Sequence, residues 1–173
     1  CGPANALIDD WVMRHSGAAF DKDGALAAQG EVNETALAAL LAHPYFAAPP
    51  PKSLDRLDFD ALSVDALSAA DGAATLTAFT AMGIAKALDL CPKKPPRLIL
   101  CGGGRHNSTL RRMMAAYCGV DIVDCDSLGW RGDALEAQLF GWLAVRSFYG
   151  LPLSRPETTG VTQPTSGGVF YRT

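Results

Sequence analysis

Much of what defines other protein classes is missing from this chain. No apolar run approaches the roughly 18 residues that a membrane helix needs. Charge of either sign is sparse: 15 Lys and Arg against 18 Asp and Glu leave a net charge of −3, which argues against a nucleic-acid surface. Cysteine occurs only as Cys1, Cys91, Cys101, Cys118 and Cys125. An odd number without C-x-x-C spacing fits neither a disulfide scaffold nor a zinc site, so the five read as reduced thiols of a cytoplasmic protein. His15, His43 and His106 are scattered, and no metal site is expected from them. The phosphate loop G-x-x-x-x-G-K-[ST] is absent. What remains is a chain of 173 residues, 49% of them hydrophobic and many of these Ala and Leu. That is enough for one domain with a substantial core, helical or α/β.

Hydrophobic spacing organises the chain. Leu7, Ile8, Trp11 and Val12 recur at helical intervals, so a helix is expected over about 3–14, closed by His15-Ser16-Gly17. Asp21-Lys22-Asp23-Gly24 has turn chemistry. Asn33 is positioned to cap a short helix carrying Leu37, Leu40 and Leu41 inward, with Pro44 ending it. Residues 49–53 are extended. The helical pattern over 64–90 is expected to break near Asp71-Gly72, with Leu76, Phe79, Ile84 and Leu88 facing inward. After Pro92, Pro95 and Pro96, residues 97–101 read as a buried strand running into Gly102-Gly103-Gly104. A helix with Leu110, Met113, Met114 and Tyr117 on one stripe follows, then a second strand over 120–123. Leu135, Leu139, Trp142 and Leu143 mark a last long helix. The final two dozen residues, rich in Thr, Pro and Gly, are expected to be irregular. Strand, glycine turn, helix, strand implies a parallel α/β layer. Two strands are few for a full sheet, and Cys1 rather than Met begins the chain, so the expectation is a cut through a larger domain.

Four segments could carry chemistry. Cys101 to Asn107 is a strand ending in glycines that turns into a helix, which lets backbone approach a ligand and presents free N–H groups. It is equally readable as a tight turn with Asn107 or Ser108 as N-cap. The dinucleotide pattern G-x-G-x-x-G fails at Asn107, although Asp124 lies about 20 residues on, where a ribose-binding acid would sit. Gly132 to Glu136 spaces Asp133 and Glu136 as a capping box, yet Glu136 shares a face with Phe140 and Leu143 and could serve a sugar hydroxyl or a proton. Cys1-Gly2-Pro3-Ala4-Asn5 is a glycine turn entering a helix, suited to phosphate. Lys52-Ser53, after three prolines, could reach a phosphate or simply be solvated.

Taken in order, these segments resemble the anhydro-N-acetylmuramic acid kinases, relatives of actin and hexokinase. The resemblance rests on Gly2-Pro3-Ala4-Asn5, Phe20 to Gly24, Gly30 to Asn33, His43 to Phe46, Pro49 to Ser53, Leu100 to Asn107, Gly132 to Gln138 and Trp142-Leu143-Ala144. It implies the C-terminal half of a two-domain enzyme: a ribonuclease-H-like, actin-like ATPase half-domain, helix-rich, with a parallel-containing sheet and flanking helices. It further implies ATP and Mg²⁺ as cofactors and anhydro-N-acetylmuramic acid as substrate. The family opens the 1,6-anhydro ring and phosphorylates O6. In that resemblance Gly102, Gly103, Gly104 and Asn107 belong to the adenosine motif and Gly2 and Asn5 to the second phosphate motif, while Glu136 lies near the sugar or the attacking water. The family's base, an Asp, would precede Cys1, and its first phosphate loop, Gly-Thr-Ser-Met-Asp-Gly, would belong to the N-terminal half. The isolated chain is therefore expected to be inactive. After Lys52-Ser53 this chain reads Leu54-Asp55-Arg56-Leu57 and departs from the family's Thr-Gly-Arg-Glu. Expected partners are the N-terminal domain and a second copy in a homodimer, with Tyr45, Phe46, Phe148 and Tyr149 as contacts. The competing readings are a non-catalytic helical interaction module and a dinucleotide-binding α/β domain.

Overall fold

A computed structural model describes residues 2–59 and 62–171; Cys1 lies outside the described residues. Helix α1 spans Ala6–Ser16 and α2 spans Glu34–Leu41. A 21-residue helix, α3 (Ala69–Asp89), runs through the centre. Strand β1 (Arg97–Leu100) leads to α4 (Ser108–Cys118), and β2 (Asp121–Asp124) returns beside β1. Helix α5 covers Leu135–Phe148 and the short α6 covers Pro156–Thr159. The result is a helix-rich α/β fold whose sheet has two parallel strands, with Leu98 opposite Ile122 and Ile99 opposite Val123. No helix among the described residues is long and apolar enough to cross a membrane.

Helix α3 holds the fold together because it is buried nearly all round. Ala73 through Ala81 are buried without interruption. Alanines let neighbours approach closely, and Thr75 and Thr77 are satisfied locally, their hydroxyls donating to the Asp71 and Ala73 carbonyls at 2.7 Å. One core forms where Ile8, Trp11 and Val12 of α1, Leu37 and Leu40 of α2, Phe59 and Val64 pack on Leu76 and Phe79. A second forms around Ala81 and Leu88, where Leu110, Met114 and Cys118 of α4 meet Leu98, Leu100 and Ile122 of the sheet.

Several local expectations hold. Asn33 caps α2, accepting from the Ala36 amide at 2.9 Å, and Gly17 ends α1 in the left-handed region with φ 74°. Others need correction. Helix α1 starts at Ala6, and α3 does not break at Asp71-Gly72. Ser68 caps α3, accepting from the Asp71 amide at 3.1 Å. The Asp71 carboxylate in turn accepts from the Glu31 amide and the Ser68 hydroxyl, both at 2.8 Å. The Glu31 amide first, then Ser68, hold that carboxyl below its ordinary value. Gly72 is present for space: the Trp11 ring lies where its Cβ would stand. Strand β1 is half-covered, since the two-stranded sheet leaves much of it unshielded. Tyr117 is exposed and Cys118 takes the inward position on α4. Tyr45 and Phe46, expected as contact residues, pack against the first core beside Phe59 and Phe79.

Helix α5 stands apart from the rest of the fold. The last long helix forms where Leu135, Leu139, Trp142 and Leu143 mark it, yet α5 has no buried residue. Its far end is dressed by the tail. Arg146 lies over the Trp142 ring at 4.7 Å and donates to the Pro152 carbonyl at 2.7 Å, while Phe148 meets Phe170 at 5.4 Å between centroids. The tail is largely irregular, with α6 and one antiparallel bridge between Ser154 and Thr165.

Candidate functional site

The glycine turn after β1 is the hub. Gly102 has φ 73°, a left-handed conformation that glycine adopts without strain. Residues Gly103–His106 form one 3-10 turn, and the Asn107 side chain then caps α4, accepting from the Leu110 amide at 2.8 Å. Asn107, not Ser108, is thus the cap. Gly103 is different. Its φ is not positive, and a Cβ there would meet nothing within 4 Å. Local packing and backbone geometry therefore do not require glycine at 103.

The turn from Gly2 to Asn5 lies alongside. The Asn5 amide nitrogen is 3.2 Å from where a Cβ on Gly104 would stand. Ala4 is held at φ 52°, unusual for a residue with a side chain. Thr80 of α3 secures it, donating to the Ala4 carbonyl at 2.8 Å. A third loop supports α4 from beneath: Ser108 and Thr109 donate to the Asp23 and Gly24 carbonyls at 2.8 and 2.9 Å. Buried Asp21 stiffens that loop by accepting from the Leu26 and Ala27 amides.

Clefts flank the hub. One, of about 310 Å³, is bounded by Asn5, Phe20, Asp23, Gly103, His106 and Asn107. Another, of about 520 Å³, runs between Cys101-Gly102-Gly103 and the start of α5, with Glu136 on its wall. Gly102, Gly103 and Glu136 therefore share one cleft, and Asn5, Gly103 and Asn107 share the other. Gly104 lines a third cleft, of about 250 Å³, together with Asn5. Gly2 sits at the entry of the first turn with φ 141°.

The expected capping box does not form. Ala134 is the N-cap of α5 and makes no side-chain cap bond. Asp133 is drawn instead to Arg105, whose Nη1 donates to it; a buried guanidinium outcompetes exposed backbone amides for the carboxylate. Glu136 is consequently an exposed carboxylate in the first turn of α5. Arg105 itself escaped notice in the sequence, where it looked like one member of the glycine stretch. It is only 3% exposed. Asp126 accepts from its Nε and Nη2 at 3.2 and 3.0 Å, and the Gly102 carbonyl from its Nη1 at 3.0 Å. Gly132 makes room: a Cβ there would stand 2.6 Å from the Arg105 Nε. These bonds push the Arg105 pKa above its ordinary value, with Asp133 the leading cause. Asp126 is held below its usual range first by the Gly132 amide and then by Arg105, and Asp133 first by Arg105.

Other sequence candidates are employed elsewhere. Lys52 is half-buried and engaged within the fold: its Nζ donates to the Tyr45 carbonyl at 2.7 Å and lies 4.5 Å from the Tyr45 ring centroid. Asp124, the candidate ribose acid, accepts from the Asp126 amide at 3.0 Å and lies 3.7 Å from Arg105 and 3.8 Å from Arg111. Asp124, Cys125 and Asp126 cluster tightly, but arginines neutralise the carboxylates and burial pushes the Cys125 thiol up, away from the thiolate a metal needs. His43 caps the turn Pro44–Phe46. His106 is exposed, 3.7 Å from Asp133.

A family model described as anhydro-N-acetylmuramic acid kinase matches residues 1–173. Curated relatives named anhydro-N-acetylmuramic acid kinase agree. One from Rhizobium rhizogenes is 53% identical over 167 residues, covering 96% of this chain and 45% of the relative. One from Rhodopseudomonas palustris is 55% identical over 172 residues, covering 99% and 47%. One from Rhodospirillum rubrum is 51% identical over 170 residues, covering 98% and 45%. The chain thus spans about half the length of the relatives it matches.

Proposed function

The chain belongs to the anhydro-N-acetylmuramic acid kinase family, and from that premise we propose that it is the nucleotide-holding C-terminal half of a two-domain carbohydrate kinase. The intact protein uses ATP and Mg²⁺, opens the 1,6-anhydro ring of anhydro-N-acetylmuramic acid and phosphorylates O6. Its two halves share the ribonuclease-H-like, actin-like ATPase fold, and two copies of the intact protein form a homodimer in the cytoplasm. Gly102, Gly103, Gly104 and Asn107 hold adenosine, Gly2 and Asn5 take the phosphate side, and Glu136 orients the sugar or the attacking water. The remainder of the protein supplies the first phosphate loop and the base.

Gly103 carries this reading, because nothing in the fold requires glycine there. Its bare backbone supports the close approach of a ligand between two clefts. The arrangement also suits the chemistry. Phosphoryl transfer depends on positioning and charge stabilisation around one point. Here a glycine turn, a helix start and a carboxylate converge, and neither of the two larger clefts described above is lined by a lysine or an arginine. Arg105, the nearest guanidinium, is engaged by its own carboxylates. Half a site of this kind orients substrates without completing the transfer.

The test uses the intact protein with ATP, Mg²⁺ and anhydro-N-acetylmuramic acid. The 6-phosphate should form, and the chain of 173 residues alone should yield none. Glu136→Gln should lower kcat/KM by about 10²-fold, the scale of a general acid–base contribution. Its melting temperature should be unchanged, since Glu136 caps nothing. Wild-type kinetics in this variant would return Glu136 to the surface, and a wild-type protein that makes no 6-phosphate would sink the whole reading.

A further inference from the structure

We propose that Arg105 is a positioning residue that fixes Glu136 against the glycine turn by clasping Asp133, three residues ahead of it. This rests on the reading of Glu136 given above. Arg105 has two distinct sides. Its Nε and Nη2 are satisfied by Asp126, in the loop after β2. That side anchors the guanidinium to the fold. Its Nη1 faces the other way and bridges the Gly102 carbonyl, at 3.0 Å, to the Asp133 carboxylate. The bridge is doubled by backbone: the Gly102 amide donates to the Gly132 carbonyl at 3.2 Å. The Gly132 amide in turn donates to Asp126 at 2.9 Å. Both peptide groups of Gly102 are thus tied to the segment that starts α5.

The clasp matters because α5 has no core of its own. With no buried residue on the helix, hydrophobic contacts cannot fix the direction of its first turn. The cleft of about 520 Å³ has the glycine turn on one wall and Asp133, Leu135 and Glu136 on the other. Arg105 spans these walls at their base and so sets their separation. Every carboxylate facing it belongs to the same arrangement: Asp124 at 3.7 Å, Asp126 and Asp133, with Arg111 beside Asp124 and the His106 ring beside Asp133. Asp126 takes only the Nε and Nη2 side of the fork. Asp133 adds the link across the cleft, and its side chain, 76% exposed, contributes little to any core.

Asp133→Ala in the intact protein is therefore the discriminating variant. The expected result is a fall of about 10-fold to 10²-fold in kcat/KM for the sugar, the scale of a displaced catalytic group, with the KM for ATP nearly unchanged. Because Asp133 acts through Glu136, adding Asp133→Ala to Glu136→Gln should cost little more than Glu136→Gln alone. Hydrogen exchange should quicken together at Gly102 and over residues 132–136. Arg105→Lys, which keeps the charge but loses the fork, should shift the same amides. Additive losses in the double variant, or unchanged exchange at Gly102 and 132–136, would overturn the proposal. The exchange measurement reads the clasp even in a protein that makes no 6-phosphate, so failure of the functional reading and failure of the clasp give different results.

Discussion

The two ends of this chain solve opposite problems. Helices α1 to α3 enclose a finished core in which Trp11 is fully buried and its indole N–H donates to the Ala69 carbonyl at 2.8 Å. Helix α5 and the tail carry a comparable load of large apolar side chains and enclose none of them: Phe140, Trp142, Phe148, Tyr149 and Phe170 all stand exposed. Apolar area gains roughly 25 cal/mol per Å² only when it leaves water. The first region can therefore maintain its own fold, whereas the second has apolar surface to offer. Such side chains gain stability only if another surface covers them. The glycine turn sits on the boundary, anchored to the finished side through α4 and Asp126 and to the open side through Asp133.

The strongest way to break that contrast is to hollow the closed region. Phe79 is buried at the meeting of Phe46 and Phe59, with ring centroids 5.6 and 6.0 Å away. Phe79→Ala should cost about 3–5 kcal/mol, the range for a large aromatic removed from a core. Urea unfolding of the chain measures it. A loss below about 1 kcal/mol would mean that the core is loosely packed and the contrast unreal.

Legibility in the sequence follows the same boundary. The α1, α2 and α4 helices and both strands were readable because periodicity, Asn33, Asn107 and Gly17 act locally. Gly72 misled, since a glycine in a helical run looks like a breaker and its reason, the Trp11 ring, is sixty-one positions away. Helix α5 was legible as a helix from its stripe of Leu135, Leu139, Trp142 and Leu143, but periodicity cannot say what covers it. The clustering of the site residues was visible only through resemblance. Spacing alone left the glycine turn and the Asp133–Glu136 box ambiguous. Arg105 could not be found at all, because its partners lie in the segments after both strands, and only the parallel pairing of β1 and β2 brings them together.

A gentler perturbation tests how the closed region steadies the site. Thr80 is nearly buried on α3 and its hydroxyl donates to Ala4, the left-handed residue of the first turn. Thr80→Val keeps the shape and removes the donor, leaving a partly buried carbonyl without that partner. The expected loss is about 1 kcal/mol in urea unfolding, accompanied by faster hydrogen exchange at Ala6, whose amide donates to the Pro3 carbonyl at 3.2 Å. Unchanged exchange there would show that the turn holds its strained conformation without α3.

The smallest effect on stability should come from the open region, and it should be joined by a change in association. Phe148 is 62% exposed and touches only Tyr149 and Phe170 among the described rings. Phe148→Ala removes almost no buried area, so unfolding should shift by less than about 0.5 kcal/mol. If α5 and the tail offer the surface by which copies of the protein meet, the same substitution should weaken self-association, because truncating a central aromatic anchor is among the costlier changes at an interface. Sedimentation velocity of the intact protein at micromolar concentration reads this directly. The wild type should run as a dimer and Phe148→Ala should shift toward monomer. The partition of effects is the point: Phe79→Ala should change unfolding, while Phe148→Ala should change association and leave unfolding alone. A wild type of monomer mass at every concentration would rule out the dimer and leave the rest of the polypeptide as the cover for α5. A large unfolding penalty at Phe148 would instead mean that the tail closes a third core of its own.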